Sequence, residues 1–212
     1  MKGNTVPVVS IVLTVYNRQE YLKRCVDSII HQSLKDWEVI AIDDGSEDGS
    51  VQILKEYEVK FHNVRLIKQN NMKLAKSRNR GIEIAGSKYL TFIDSDDEYS
   101  EDHVQRRVDF MEANKNVDFI HGGVKIIGNE YVRDKNDPYN FIHLSECSIG
   151  GTFFGKTEVF RKLNGFRNIP YSEDSDFLER AEKLFNIRKI NFDTYIYHRE
   201  SENSITNSYV PK

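Results

Sequence analysis

The sequence predicts an α/β fold, a doubly wound and mainly parallel sheet carrying a small C-terminal annex. Three observations predict it. From Val8 to about Gly128, short β-branched runs alternate with segments whose apolar residues recur at helical spacing. That alternation implies right-handed crossovers between parallel strands. With 212 residues, 39% of them hydrophobic and 30% charged, the chain can form a globular domain with a real core. After about Gly128 the pattern loosens, dividing the chain into a core over 1–128 and an annex over 129–212.

The elements follow in order. Val8–Leu13 is a short continuous run, as expected of a strand buried on both faces. Over Arg18–His31, Leu22, Cys25, Val26, Ile29 and Ile30 repeat at helical spacing. Glu38–Ile42 reads as a second strand and Gly49–Tyr57 as a second helix. Val64–Ile67 and a helix from about Leu74 to Ala85 come next. They are followed by Tyr89–Ile93 and a helix over Glu101–Ala113 striped by Val104, Val108 and Met111. Val117–Ile120 and Val124–Ile127 close the first region. Beyond Asn129–Tyr139, rich in charge and turn formers, Thr152–Phe154 reads as a strand, with Lys156–Leu163 and Ser172–Phe185 as helices. Arg188–His198 then ends in the strand Tyr195–Tyr197. This second region is expected to pack on the sheet edge.

Composition excludes several classes. The longest nearly apolar stretch, Val8–Val15, is interrupted by Ser10 and Thr14 and falls far short of the roughly 18 apolar residues of a membrane span. Met1–Pro7 lacks the apolar core of a secretory signal. Net charge is −3 with Lys and Arg scattered, so no nucleic acid partner is expected. Cys25 and Cys147 make neither a disulfide framework nor a zinc site, and Cys25 is expected as a reduced, buried thiol. The cytoplasm is the expected compartment.

In open parallel sheets ligands collect outside the carboxyl ends of the strands. Those ends read Thr14-Val15-Tyr16-Asn17, Asp43-Asp44-Gly45-Ser46, Gln69-Asn70-Asn71 and Asp94-Ser95-Asp96-Asp97, so four consecutive strands deliver polar groups to one edge. Asp94 and Asp96, two apart on an extended strand end, reach one spot. Paired like charges need a cation or a shared proton. One reading is a hard divalent ion, Mg²⁺ or Mn²⁺, bridging both to a diphosphate; the other is an acidic turn capping the next helix. Asp43-Asp44 either accepts hydrogen bonds from a nucleobase or ribose or makes an Asx turn into the helix near Asp48. The chain has no G-x-G-x-x-G after the first strand, no G-x-x-x-x-G-K-[ST] and no G-x-S-x-G, which argues against dinucleotide binding, a P-loop hydrolase and an α/β-hydrolase.

Four segments then resemble a known family. Ser10–Arg18 (SIVLTVYNR), Val39–Ser50 (VIAIDDGSEDGS), Ala75–Gly81 (AKSRNRG) and Phe92–Asp97 (FIDSDD) are similar, in order and spacing over roughly residues 8–100, to the signature of family 2 glycosyltransferases. Gly150-Gly151, Phe153-Phe154, Ser172-Glu173-Asp174, and Tyr197-His198 with Asn203–Thr206 are looser matches.

The resemblance implies a GT-A, Rossmann-like fold. It also implies an inverting enzyme that moves a sugar from a nucleotide-sugar donor, UDP-linked by family habit, to a carbohydrate or glycolipid acceptor with Mg²⁺ or Mn²⁺. It places Thr14, Tyr16 and Asp44 on the nucleoside, with Tyr16 packing on the base and Asp44 accepting from its edge. Arg78 would approach the base or diphosphate, Asp94 the ribose, and Asp96 would be the principal metal ligand, with Asp94 beside it. Some related enzymes use a C-terminal histidine near the metal, which implies His198; a lone histidine at a strand end is otherwise structural. Asp174 would be the general base, kept ionised at a helix N-terminus by unpaired N–H groups and the helix dipole, with Glu173 second and Asp176 third. The same residues also read as an ordinary first turn, with Ser172 as its N-cap. Gly150-Gly151 either lets the backbone approach the donor sugar or acceptor, or makes a turn.

The pattern departs from the family where a glycine usually follows the Asn pair. Here Met72 and Lys73 stand, and Asn70 or Asn71 is expected to supply the positive φ instead. Related enzymes often work at the cytoplasmic face of the membrane, but no basic amphipathic helix supports an anchor here. Two rivals stand beside this reading: a nucleotide-sugar-binding module without turnover, and a nucleotidyltransferase, which would need a glycine-rich basic loop after the first strand.

Overall fold

The computed structural model describes residues 6–134, 137 and 139–199. Its first half is a run of strand–helix units: β1 (Val9–Val15), α1 (Gln19–Ile30), β2 (Trp37–Asp43), α2 (Ser50–Lys60), β3 (Val64–Lys68), α3 (Leu74–Ile84) and β4 (Tyr89–Asp94). The short β5 (Glu98–Tyr99), then α4 (His103–Ala113), β6 (Phe119–His121) and β7 (Val124–Ile127) follow. The second half holds β8 (Tyr131–Arg133), β9 (Phe141–His143), a 3₁₀ turn at Gly150–Thr152, β10 (Phe154–Lys156), α5 (Thr157–Lys162), α6 (Glu173–Glu182), β11 (Ile187–Lys189) and β12 (Tyr195–His198).

Seven strands form the central sheet in the order β11-β6-β10-β4-β1-β2-β3. The β4-β1-β2-β3 block is parallel throughout. Side chains alternate across it, as the period of two requires. Val9, Ile11, Leu13, Val39 and Ala41 face α1, α2 and α4, where Leu22, Cys25, Val26, Ile29, Leu54, Val104 and Met111 cover them. Val12, Ile40, Ile42, Leu90 and Phe92 face α3, α5 and α6. On that side Phe92, Phe119, Phe153, Phe160, Phe166 and Phe177 form one aromatic cluster. Both faces of the sheet are therefore closed, as the uninterrupted apolar strands require.

The second region does not confine itself to the sheet edge. β10 runs between β4 and β6, antiparallel to both, and β11 adds a parallel edge to β6. A strand of three residues has no periodicity to reveal such an insertion. The expected strand at Thr152–Phe154 is displaced accordingly: Gly150–Thr152 is a 3₁₀ turn and pairing starts at Phe154. Arg188–His198 splits between two sheets, since β12 joins β5 and β7 in a separate three-stranded sheet. β8 and β9 form an antiparallel pair in the segment whose pattern loosens. Asn203–Thr206 lie outside the described residues. Among the described residues no helix is long and apolar enough to cross a membrane.

Candidate active site

Register brings the polar strand ends level. Thr14 of β1 stands opposite Ile42 of β2 and Asp94 of β4, and Val15 opposite Asp43. Beyond these ends opens a cavity of about 970 Å³. Its walls include Thr14, Tyr16, Asp44, Arg78, Asp94, Asp96, Glu173 and Asp174, so eight of the residues singled out from the sequence meet in one place, while His198 and Asp176 do not line it.

On the nucleoside side, Tyr16 is 46% exposed, and its ring is available to a ligand. Asp44 is buried and already heavily bonded: Gln69 Nε2 donates to Oδ1 at 2.7 Å, Met72 N to Oδ1 at 2.8 Å and Lys73 N to Oδ2 at 2.9 Å. It therefore anchors the 69–73 loop. In the turn toward α2, Asp43 Oδ2 accepts from Ser46 N at 3.4 Å and Asp48 Oδ1 from Ser50 N at 2.9 Å. The positive φ of that loop falls on neither Asn70 nor Asn71. Lys73 adopts it, at φ 74° and ψ 163°. The two backbone donors held by Asp44 impose this geometry on the lysine.

Arg78 on α3 is a buried hub. Nη2 donates to both oxygens of Asp94 (3.0 and 3.2 Å) and Nη1 to Glu173 Oε1 (3.1 Å). Its guanidinium lies 5.2 Å from the centre of the Phe166 ring. Burial opposes its charge, but Asp94 and then Glu173 outweigh burial and raise its pKa. Rather than standing free for a base or diphosphate, Arg78 ties the end of β4 to the start of α6. A Cβ on Gly150 would come within 2.8 Å of Nη1, so any larger residue there would have to displace the guanidinium from its ion pairs.

The Asp94–Asp97 turn closes through Asp97 N donating to Asp94 O at 3.0 Å. Asp96 lines the cavity with Arg18 Nε 3.7 Å away. Asp97 turns the other way. It is fully buried and accepts from Tyr195 OH at 2.6 Å and His198 N at 2.8 Å; burial and then Asp96 push its pKa well up. Cys25, buried behind the turn, is raised by burial and then by Asp97, Asp96 and Asp94. Asp94 and Asp96, the two carboxyls of this turn that line the cavity, favour a cation in front of them.

The oxygen donors of Asp94 and Asp96 suit a hard divalent ion that takes one or two carboxylates and completes its shell with phosphate oxygens. Among the described residues no group of three or more His, Cys, Asp or Glu is placed to hold a metal. His198 is not brought there: its Nε2 pairs with Glu98 Oε1 at 2.6 Å, and it does not line the cavity. The parallel pairing of β12 with β7 sets it behind the turn.

Across the cavity, α6 presents Glu173 and Asp174. Ser172 does not cap this helix. Its backbone is left-handed (φ 65°) and its hydroxyl bonds Ser175 Oγ. Asp174 Oδ1 accepts from Ser175 N at 2.8 Å and Oδ2 from Gly150 N at 3.2 Å. These bonds do not keep the acid at its ordinary value, contrary to expectation for a helix N-terminus. Burial and then neighbouring Glu173 push the Asp174 pKa up to about 7 against the pull of Arg78. Glu173 is committed to Arg78, and Asp176 pairs with Arg167 and Arg180 off the cavity. A carboxyl titrating near neutrality on the wall of a cleft is suited to general-base work.

Tyr195 escapes a reading of the sequence. Its hydroxyl donates to Asp97 and lies 3.4 Å from Asp94 N. A Cβ on Gly151 would fall inside the contact distance of that hydroxyl. One buried phenol thus fixes the acidic turn against the Gly150–Thr152 turn. The sequence signal was only a tyrosine opening an apolar strand, which reads as core.

The family model described as Glycosyl transferase family 2 matches residues 10–191. The uncharacterized glycosyltransferase EpsJ of Bacillus subtilis is 27% identical over an alignment of 227 residues covering 95% of this chain and 63% of that protein. Among solved structures, S. aureus TarS 1–349 in complex with UDP-GlcNAc superposes with a TM-score of 0.75 at 19% identity, covering 95% of this chain and 61% of that one. The mannosyltransferase PcManGT from Pyrobaculum calidifontis, in complex with GDP-Man and Mn²⁺, gives 0.71 at 17% identity over 91% of this chain and 57% of that one. These likenesses establish a GT-A-type fold, and the chain spans under two thirds of the length of each of these three proteins. With a match running from β1 into the segment after β11, the chain belongs to glycosyl transferase family 2.

Proposed function

We propose that this chain transfers a sugar, with inversion, from a nucleoside-diphosphate sugar to a hydroxyl of a carbohydrate or glycolipid acceptor. The observation that carries the reading is one cavity with Asp94 and Asp96 on one wall and Asp174 on another, joined by the Arg78 ion pairs. UDP is the expected nucleotide; a TarS structure holds UDP-GlcNAc. Tyr16, Thr14 and the Asp44-anchored loop would form the nucleoside end, and residues 129–199 the acceptor side.

Asp174 takes the proton from the acceptor hydroxyl as its oxygen attacks the anomeric carbon. The new C–O bond forms on the face opposite the diphosphate, and the electrons of the breaking C–O bond leave with the phosphate oxygen. Asp96, with Asp94 beside it, would hold Mg²⁺ or Mn²⁺; the ion supplies stabilisation of the charge on the departing diphosphate. Arg78 holds Asp94 in place while keeping Glu173 from competing for the proton.

Nucleotide release from a panel of nucleotide sugars, measured with Mn²⁺ and with a chelator, tests the reading. Release from at least one donor, dependent on the metal and on an added glycan acceptor, is expected. Failure of every donor to bind or turn over would refute it.

A further inference from the structure

Lys73 occupies a backbone conformation that only glycine adopts without steric cost, φ 74° with ψ 163°. The conformation is imposed from outside. Asp44 grips Met72 N and Lys73 N, and the loop lies against Gly45, whose own positive φ brings Asn71 N within 3.1 Å of where a Cβ would stand. A glycine would meet the same demands more cheaply. The residue present is a lysine, so its side chain, and not its backbone, is the feature to explain.

That side chain belongs to the cavity wall, beside Asp44, Asn71 and Leu74. Lys73 is exposed, and among the described residues its ammonium makes no hydrogen bond or ion pair. The neighbouring cavity cations are already engaged: Arg78 by Asp94 and Glu173, and Arg18 at 3.7 Å from Asp96. The cavity is also lined by Asp44, Asp94, Asp96, Glu173 and Asp174, an unfavourable field for an anionic ligand. An uncommitted ammonium on the cavity wall offsets that field for an anionic ligand.

We propose that Lys73 is a donor-binding residue whose ammonium meets the phosphate oxygens of the nucleoside diphosphate. The inference rests on the reading of this cavity as a nucleotide-sugar site. Charge, and not loop shape, is then what position 73 supplies.

Isothermal titration with UDP and with uridine, in Mn²⁺ and in a chelator, tests it on wild type, Lys73→Gln, Lys73→Gly and Lys73→Arg. A charge-assisted contact predicts roughly tenfold weaker UDP binding for Lys73→Gln and Lys73→Gly, in both buffers. Uridine binding should stay within about twofold, and Lys73→Arg should recover most of the UDP affinity. Lys73→Gly should also raise the thermal midpoint of the ligand-free protein, because the backbone relaxes into a conformation it already holds. The proposal is overturned if Lys73→Gln and Lys73→Gly bind UDP as wild type does, or if uridine affinity falls as far as that of UDP. If wild type itself binds no nucleoside diphosphate, the reading of the cavity fails first and takes this inference with it.

Discussion

Asp174→Asn is the substitution at which the proposed chemistry and the electrostatics of the site pull in opposite directions. A pKa moved from 3.8 to about 7 corresponds to about 4 kcal/mol of destabilisation at a pH above both values. The carboxyl opens on a cavity where water screens its charge, so roughly half of that, about 2 kcal/mol, is the working figure. The sign follows from linkage. A carboxyl raised in the folded state carries no penalty below its unfolded value, and the full penalty is present only above about 7. Asparagine is uncharged throughout. It offers one acceptor oxygen where the carboxylate offers two, so Gly150 N or Ser175 N loses its partner at a cost of about 1 kcal/mol at any pH.

The variant should therefore be near wild-type stability at about pH 5 and more stable by about 1 kcal/mol at about pH 8. For a domain of this size that is about 2–4 °C in thermal midpoint. Calorimetry or fluorescence melting at the two pH values reads it directly. Over the same series glycosyl transfer should fall by about 10²–10⁴-fold with donor binding retained. An equal change in stability at both pH values would show that this acid is not held against ionisation. Undiminished transfer would remove it as the base.

The pH profile of kcat/KM should rise through about 7 and level off above it, because the base must be ionised. Glu173→Gln, by removing a negative neighbour that raises Asp174, should move that limb to lower pH; a limb that stays in place refutes the coupling. Arg78→Met should cost about 3–5 kcal/mol in urea unfolding, since Asp94 and Glu173 both lose their cation. Tyr195→Phe should cost about 1–3 kcal/mol by leaving buried Asp97 short of a donor, and should raise KM for the donor as the acidic turn loosens. Asp96→Ala should weaken nucleoside diphosphate binding in Mn²⁺ and change it little in a chelator; equal losses in both would remove the metal role.

What the sequence determined by itself is the part governed by local rules. The apolar runs of β1, β2 and β4 and the helical stripe of α1 are set by side-chain period. The polar residues at those strand ends follow directly, because a parallel sheet must deliver its carboxyl ends to one edge. Asp94 and Asp96 were legible for that reason, whereas Asp174, in the first turn of α6, was pointed to only by the family resemblance.

Tertiary structure decided the rest, because each remaining feature depends on groups far apart in the chain. β10 lies between β4 and β6 because of pairing across more than thirty residues on either side. Asp97 faces inward because Tyr195 and the backbone of His198, about a hundred residues on, bond it there. His198 is lost to the cavity by the same pairing. Lys73 takes a glycine conformation because Asp44 holds its N–H. The helix N-terminus would keep Asp174 ionised, but burial beside Glu173 prevails. Sequence period sets which way a side chain points along its own element; which charges and donors surround it is settled only when the elements pack.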